Sequence, residues 1–186
     1  MIGDDLIARC GRGEPRAQHE LYKALYGLMM SVCSRYERNR QDAVARMNQG
    51  FLKVLTNIDK RRPEVPFELW VRRIMINTVI DEYRKESHRR TQETLDVHLD
   101  NSIQAEVNDY LRLMEADAFA ALLDQVPMMS RKVFNLFAID GYAHAEIADL
   151  LGISEGTSKW HVSHARQVLQ QAIGQLAGRS LKTELK

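Results

Sequence analysis

The chain has 186 residues, 45% of them hydrophobic and 27% charged, with a formal net charge of +1. That length suits one ordinary domain or two small ones, and no apolar run is long enough to cross a bilayer. Two cysteines, Cys10 and Cys33, with no C-x-x-C pair, argue against both a disulfide scaffold and a thiolate metal site. The opening MIGDDLIARCGRGE is acidic and has no apolar segment, so it does not read as a secretory signal; a reduced, cytoplasmic protein is the expectation.

The apolar residues recur with a helical period throughout, and the alternation of a half-buried strand is absent. Pro15, Pro63, Pro66 and Pro127 each fall where that period breaks. The pattern predicts helices over 4–10, 15–39, 41–57, 67–88, 102–125, 130–139, 144–151 and 155–176, with no internal repeat. The fold class is therefore all-α: two small helical domains joined by a flexible acidic linker, the second domain carrying a helix-turn-helix.

The helix over 67–88 gathers Met75, Ile76, Val79, Ile80 and Tyr83 on one side, a core face. A second strip carries Trp70, Arg73, Asn77, Asp81, Arg84 and His88 at helical spacing. Aromatic, cationic and amide groups in one line supply stacking, phosphate neutralisation and base-edge hydrogen bonds, the needs of a single-stranded nucleic acid. Bland alternatives stand beside this one: Trp70 packed against a neighbouring helix, and Arg84 paired with Asp81 on the same helix face.

Charge is unevenly spread along the neutral whole. Arginine pairs stand at Arg61-Arg62, Arg72-Arg73 and Arg89-Arg90, whereas Glu93, Asp96, Asp100, Glu106, Asp109, Glu115 and Asp117 face a lone Arg112. A local polyanion-binding face followed by an acidic connector fits this asymmetry. The polar stretch RRTQETLDVHLDNSIQAE has no sustained period and is the linker candidate. The domains are set at 1–90 and 107–178, with a linker over 91–106 and a tail over 179–186.

Past Pro127, Gly152 is placed to end one helix and Ser154 to cap the next, so LGIS is the turn of a helix-turn-helix. On the second of these helices Val162, Ala165, Leu169, Ala172 and Ile173 share an inner face. The outer face holds Thr157, Trp160, His161, His164 and Gln167, hydroxyls, ring nitrogens and amides able to exchange hydrogen bonds with base edges. Arg131, Lys132, Lys159 and Arg166 are candidates for phosphate contact. His161 and His164 lack a third metal ligand nearby. There is also no glycine-rich phosphate loop and no paired catalytic acids, so no catalytic residue, metal, cofactor, small-molecule substrate or enzymatic activity is expected.

The segment LLDQVPMMSRKVFNLFAIDGYAHAEIADLLGISEGTSKWHVSHARQVL resembles the promoter-recognition domain of bacterial RNA polymerase sigma factors of the sigma-70 family, in particular the extracytoplasmic-function (ECF) group. The match rests on Pro127, Arg131, Val133, Phe134, Gly141, Glu146, Ile147, Ala148, Leu151 to Ser154, Gly156, Thr157, Ala165 and Arg166. The first half is similar to the sigma domain that binds the polymerase clamp and melts the minus-ten element, at Asp42, Ala43, Phe51, Leu52, Phe67, Trp70, Ile74, Asn77, Asp81 and Arg84.

The resemblance implies a promoter-specific initiation factor that reads the minus-thirty-five element and melts the minus-ten element. Its partners would be core RNA polymerase (beta-prime clamp and beta flap), promoter DNA, and an anti-sigma factor or recruiting partner, with no membrane involved. It implies minus-ten contacts from Trp70, Arg73, Asn77, Asp81, Arg84 and Lys85. Minus-thirty-five contacts fall to Arg131, Thr157, Ser158, Lys159, Trp160, His161, His164 and Arg166, and polymerase contacts to Asn48, Gln49, Phe51 and Leu52. The acidic connector would thread the active-centre cleft and imitate nascent RNA. The alternatives are a plain helix-turn-helix regulator and a degenerate sigma-like interaction protein that does not initiate by itself.

Three departures bear on these expectations. Val44, Ala45, Asn48 and Gln49 occupy clamp-binding positions where the family usually carries acidic residues and a Gln-Glu pair, and Arg46 replaces an apolar residue. Trp160, His161, Val162 and His164 stand where the reading helix commonly has Ser, Arg, Leu and a further Arg. Neutral His grips guanine and phosphate less firmly than Arg, so a different sequence choice and a lower affinity that rises below about pH 6.5 are expected. Ala143 takes the place of a capping Ser, a loss of ~1 kcal/mol.

Overall fold

The computed structural model describes residues 2–89 and 121–183, with side chains described over 2–85 and 121–175. The expected linker at 91–106, the acidic residues from Glu93 to Asp117 with Arg112, and nearly all of the helix expected over 102–125 lie outside the described residues, as does the side chain of His88. Every regular element among the described residues is helical. The chain divides into two compact units, Met1–Gln92 and Glu93–Lys186.

The first unit contains α1 (Asp4–Gly11), α2 (Pro15–Tyr36), α3 (Arg40–Asn57), a single tight turn at Ile58–Lys60, and α4 (Phe67–Arg89). Pro15 opens α2 at a position whose N–H would have no helical partner anyway. Glu14, just before it, accepts hydrogen bonds from Arg9 Nε at 3.1 Å and Arg12 Nη2 at 2.9 Å, which hold its carboxyl below the usual range. The helical period predicts an end of α2 at 39, but Asn39 belongs to the next helix. Its Oδ1 accepts the Asp42 N–H at 2.8 Å and caps α3, so the chain leaves α2 at Tyr36.

The three longer helices pack on one another, and α1 packs on α2. Their buried seam is Leu21, Leu25, Met29, Val32 and Tyr36 from α2, Met47 and Val54 from α3, and Val71, Met75, Ile76, Val79 and Ile80 from α4. Each large apolar side chain so buried contributes ~1.5–3 kcal/mol of transfer free energy. Gly50, mid-helix in α3, is where α4 comes closest: a Cβ there would sit 2.5 Å from the buried Met75 Sδ. Both cysteines are buried and unpaired, and burial pushes the Cys33 thiol up to about 12, so neither behaves as a reactive thiolate.

The second unit contains α5 (Met128–Phe134), which passes into a widened helical turn at Asn135–Ile139, then α6 (His144–Leu151) and α7 (Glu155–Thr183). The stretch expected as one helix over 130–139 thus starts earlier and loosens at its end. There the Asp140 N–H reaches back five residues to the Asn135 carbonyl at 2.9 Å, and Gly141 at φ 77° closes the segment. Helix α7 outruns its expected end at 176, its backbone continuing through Gly174 and Gly178. Leu122, Val126, Val133, Phe134, Leu136, Ile147, Leu151, Val162, Ala165 and Leu169 form the core, with α5 and α6 both packed on α7.

Candidate nucleic-acid interfaces

The turn between α6 and α7 forms as its sequence requires. Gly152 adopts the left-handed conformation at φ 68°, and its N–H and that of Ile153 both return to the Ala148 carbonyl, at 2.9 and 3.1 Å. Ser154 Oγ then accepts the Thr157 N–H at 3.0 Å and shares a hydrogen bond with the Thr157 hydroxyl at 2.8 Å. At the start of α6 the cap is one-sided. Glu146 accepts the Ala143 N–H at 2.8 Å, while the Ala143 methyl can return nothing.

Helix α7 turns its apolar side, Val162, Ala165, Leu169 and Ala172, into the core, and leaves Lys159 and Gln167 exposed with Thr157 and Trp160 half-buried. The two histidines face inward to a greater degree than their sequence positions suggest. Ser130, 1% exposed on α5, is hydrogen bonded to His161 Nδ1 at 2.9 Å and to His164 Nδ1 at 3.1 Å. Trp160 is stacked on His164, centroids 4.9 Å apart and planes 19° apart, and meets His161 edge-on at 4.8 Å. It therefore has ring partners and is not left bare to water.

Burial, with the charge of His164 added, lowers His161 from 6.5 to about 4. The affinity gain expected from this ring just below pH 6.5 is corrected accordingly: His161 stays neutral until the pH falls toward about 4.

Three residues expected at the duplex lie beneath the surface instead. Ser158 is fully buried, its hydroxyl hydrogen bonded to His144 Nδ1 at 2.9 Å. Arg131 is 2% exposed and paired with Asp124, and among the described residues its Nε and Nη2 have no partner. Lys132 is buried as well. Arg166 is half-buried with its guanidinium 5.9 Å from the Phe137 ring centroid, and Phe137 in turn stacks on His144 at 4.4 Å. Of the four cations assigned to phosphate, Lys159 is the one with an exposed side chain.

In the first unit, α4 displays Arg73, Asn77, Asp81, Arg84 and Lys85 as exposed residues, with Trp70 half-buried beside Phe67 at 5.7 Å between centroids. Asp81 is taken up across the helix pair by Lys53 of α3 at 2.9 Å. On α3, Asn48 and Leu52 are exposed, Leu52 by 62%. Phe51 and Gln49 are half-buried, Phe51 lying edge-on to Tyr22 at 5.1 Å, and the Tyr22 hydroxyl donates to Asn48 Oδ1 at 3.1 Å.

Sequence reasoning missed Tyr22 and Ser130, because their partners lie 26, 31 and 34 positions away. It also missed Leu69, 59% exposed near the start of α4, which stands out only once the helix is placed. Among the described residues no helix is long and apolar enough to cross a membrane, and no group of three or more His, Cys, Asp or Glu converges as a metal site would.

Residues 21–89 match the family model of sigma-70 region 2, and residues 116–177 that of sigma-70 region 4. The chain is 30% identical over 173 residues to the ECF RNA polymerase sigma factor SigL of Mycobacterium tuberculosis (strain H37Rv), covering 88% of this chain and 95% of that one. It is 28% identical over 123 residues to the ECF RNA polymerase sigma factor EcfG of Rhodopseudomonas palustris (strain TIE-1), a match covering 66% of each chain. Among solved structures the fold resembles the sigma factor RpoE in complex with the anti-sigma factor NepR from Bartonella quintana. That likeness has a TM-score of 0.50 and 17% identity and covers 83% of this chain and 97% of that one.

Proposed function

This chain belongs to the extracytoplasmic-function group of sigma-70 RNA polymerase sigma factors, and from that premise we propose how its two units divide the work of initiation. The first unit, taken as 1–90, docks on the clamp of core polymerase through the α3 face of Asn48, Gln49, Phe51 and Leu52. It holds the unpaired minus-ten strand along Trp70, Arg73, Asn77, Arg84 and Lys85, with Asp81 as the strip's carboxylate, neutralised by Lys53 until a base replaces it. Strand separation is then stabilised by capture of the single strand, with no nucleotide hydrolysis in this chain and no catalytic role for it; the polymerase supplies the chemistry.

The second unit, taken as 107–178 and tethered by the acidic stretch over 91–106, lays α7 in the major groove of the minus-thirty-five element. Lys159 and the free N–H groups of the first turn engage phosphate, and Thr157, Trp160, His161 and His164 line the base edges. Ser158, Arg131 and Arg166 act beneath this surface by fixing α7 against α5 and α6. The observation that carries the reading is the presence, in one chain, of a helix-turn-helix whose turn is closed by Gly152 and capped by Ser154 and of a separate helical unit with an exposed cationic strip beside the half-buried Trp70. A plain regulator needs the first alone.

Work with polymerase places the protein in the cytoplasm. An anti-sigma factor, of the kind held by the RpoE relative, is the natural inhibitor, covering exposed apolar residues such as Leu52 and Leu69. A second reading, an interaction protein that titrates partners without initiating, is favoured by the uncharged positions Val44, Ala45, Asn48 and Gln49 on α3. Gel filtration of the full chain with purified bacterial core polymerase tests the docking step. Comigration is expected and should be lost in Leu52→Asp; a chain that never associates with core would overturn the proposal.

A further inference from the structure

The contact between Ser130 and the two α7 histidines has a consequence for base choice. A hydroxyl has one hydrogen to donate and two lone pairs to accept with. Ser130 Oγ sits between two ring nitrogens, His161 Nδ1 at 2.9 Å and His164 Nδ1 at 3.1 Å. At most one of those nitrogens accepts the hydroxyl proton, and the other ring then carries its hydrogen on Nδ1 and donates to Oγ. The arrangement in which both rings donate leaves the hydroxyl proton needing a third acceptor, at a side chain 1% exposed and closed to bulk water. The ring planes are held as well, by Trp160 stacked on one ring and edge-on to the other.

We propose that Ser130 fixes His161 and His164 in opposite tautomers, so that α7 presents one ring donor and one ring acceptor to duplex DNA. In each ring Nε2 lies across from Nδ1 and so points away from Ser130. On the ring with Nδ1–H, Nε2 is an acceptor; on the other it is an N–H donor. An A·T pair offers the adenine N6–H donor beside the acceptors N7 and O4, and a G·C pair offers the cytosine N4–H donor beside the guanine acceptors O6 and N7. Two donors would grip the paired acceptors of guanine; one donor and one acceptor instead fix the order in which donor and acceptor must lie along the groove. The desolvation that keeps His161 neutral preserves the pair. The inference rests on α7 being the duplex-reading helix. Ser130 touches no base and is a positioning residue.

The tautomers are read directly by long-range nitrogen-15 correlation of the imidazole rings in the full chain at pH 8. One ring with its proton on Nδ1 and the other with its proton on Nε2 is the expected result. Both rings in the same tautomer would overturn the proposal, whatever the DNA does. In Ser130→Ala, with folding verified by its thermal midpoint, the opposition should vanish.

The base preference is read by selection from a randomised duplex pool with the full chain bound to core polymerase. Wild type should enrich one base pair by about tenfold at one position, and Ser130→Ala should lose that enrichment there while still binding. An unchanged preference in Ser130→Ala would overturn the link from hydroxyl to base. If wild type selects no duplex at all, the duplex-reading role of α7 fails instead, and the base-pair match falls with it.

Discussion

Arg46 on α3 reaches Glu82 on α4 at 3.5 Å, and the same guanidinium lies 3.6 Å from Glu37, just past the end of α2. One side chain therefore ties the three longer helices of the first unit together, and it also reaches Gln49 at 3.3 Å. The three charged side chains are only 15–23% exposed, so the pairs are partly shielded from water. Arg46→Met should destabilise the first unit by about 1–3 kcal/mol, because the half-buried Glu37 and Glu82 lose their shared cation. Replacing Glu37 and Glu82 by Gln in the same chain should recover most of that loss. Urea denaturation followed by circular dichroism measures both, and an Arg46→Met chain as stable as wild type would remove the tie from the account.

The depressed proton affinity of His161 makes a prediction about pH. In the unfolded chain this ring titrates at the ordinary 6.5, and in the folded chain at about 4, chiefly because burial disfavours the cation. Between those values the unfolded state binds more protons, so the contribution of the neutral ring is fully present above about 6.5 and is lost progressively as the pH falls toward about 4. The urea midpoint of the second unit should therefore drop over that window more steeply in wild type than in His161→Gln. Parallel pH profiles for the two chains would contradict the burial of this ring.

The two helix starts of the helix-turn-helix differ, and the difference is measurable. Ser154 caps α7 through the Thr157 N–H, so Ser154→Ala should cost about 1 kcal/mol. Ala143 holds the extended cap conformation at φ −71° and ψ 155° without an acceptor, so Ala143→Ser should stabilise the same unit by about 0.5–1 kcal/mol. Thermal unfolding of the two variants should show shifts of opposite sign.

How much of this was legible beforehand depends on the range of the interaction. Gly152, Ser154 and the inner stripe of α7 were readable because caps and helical periods are written within a few neighbouring residues. The boundary at Asn39 is not legible in the sequence because a residue that continues a helical pattern can equally cap the next helix, and the choice is made by the Asp42 N–H. The outer face of α7 was only partly readable. Periodicity places His161 and His164 on that side, but the hydroxyl that turns their rings inward comes from another helix. Likewise the burial of Arg131 and Ser158 depends on packing between α5, α6 and α7, which no local pattern encodes.

That packing separates cations that look equivalent in sequence. Lys159 is exposed at the start of α7, whereas Arg131 is buried against Asp124. Lys159→Ala should weaken duplex binding at all sequences alike and reduce the slope of log affinity against log salt by about 0.9, the value of one phosphate contact. Arg131→Met should act on the stability of the second unit and leave the salt slope unchanged. Fluorescence anisotropy at several salt concentrations distinguishes the two, and equal slopes for wild type and Lys159→Ala would remove Lys159 from the phosphate surface.

Run-off transcription with purified bacterial core polymerase, the full chain and a library of genomic promoter fragments tests the whole division of labour at once. The account predicts discrete transcripts that depend on the added chain and start at a fixed distance from a shared pair of elements. It predicts their loss when the strip is broken by Trp70→Ala with Arg73→Ala, in a chain that still binds core. A chain that binds core polymerase yet yields no specific transcript from any fragment would contradict it.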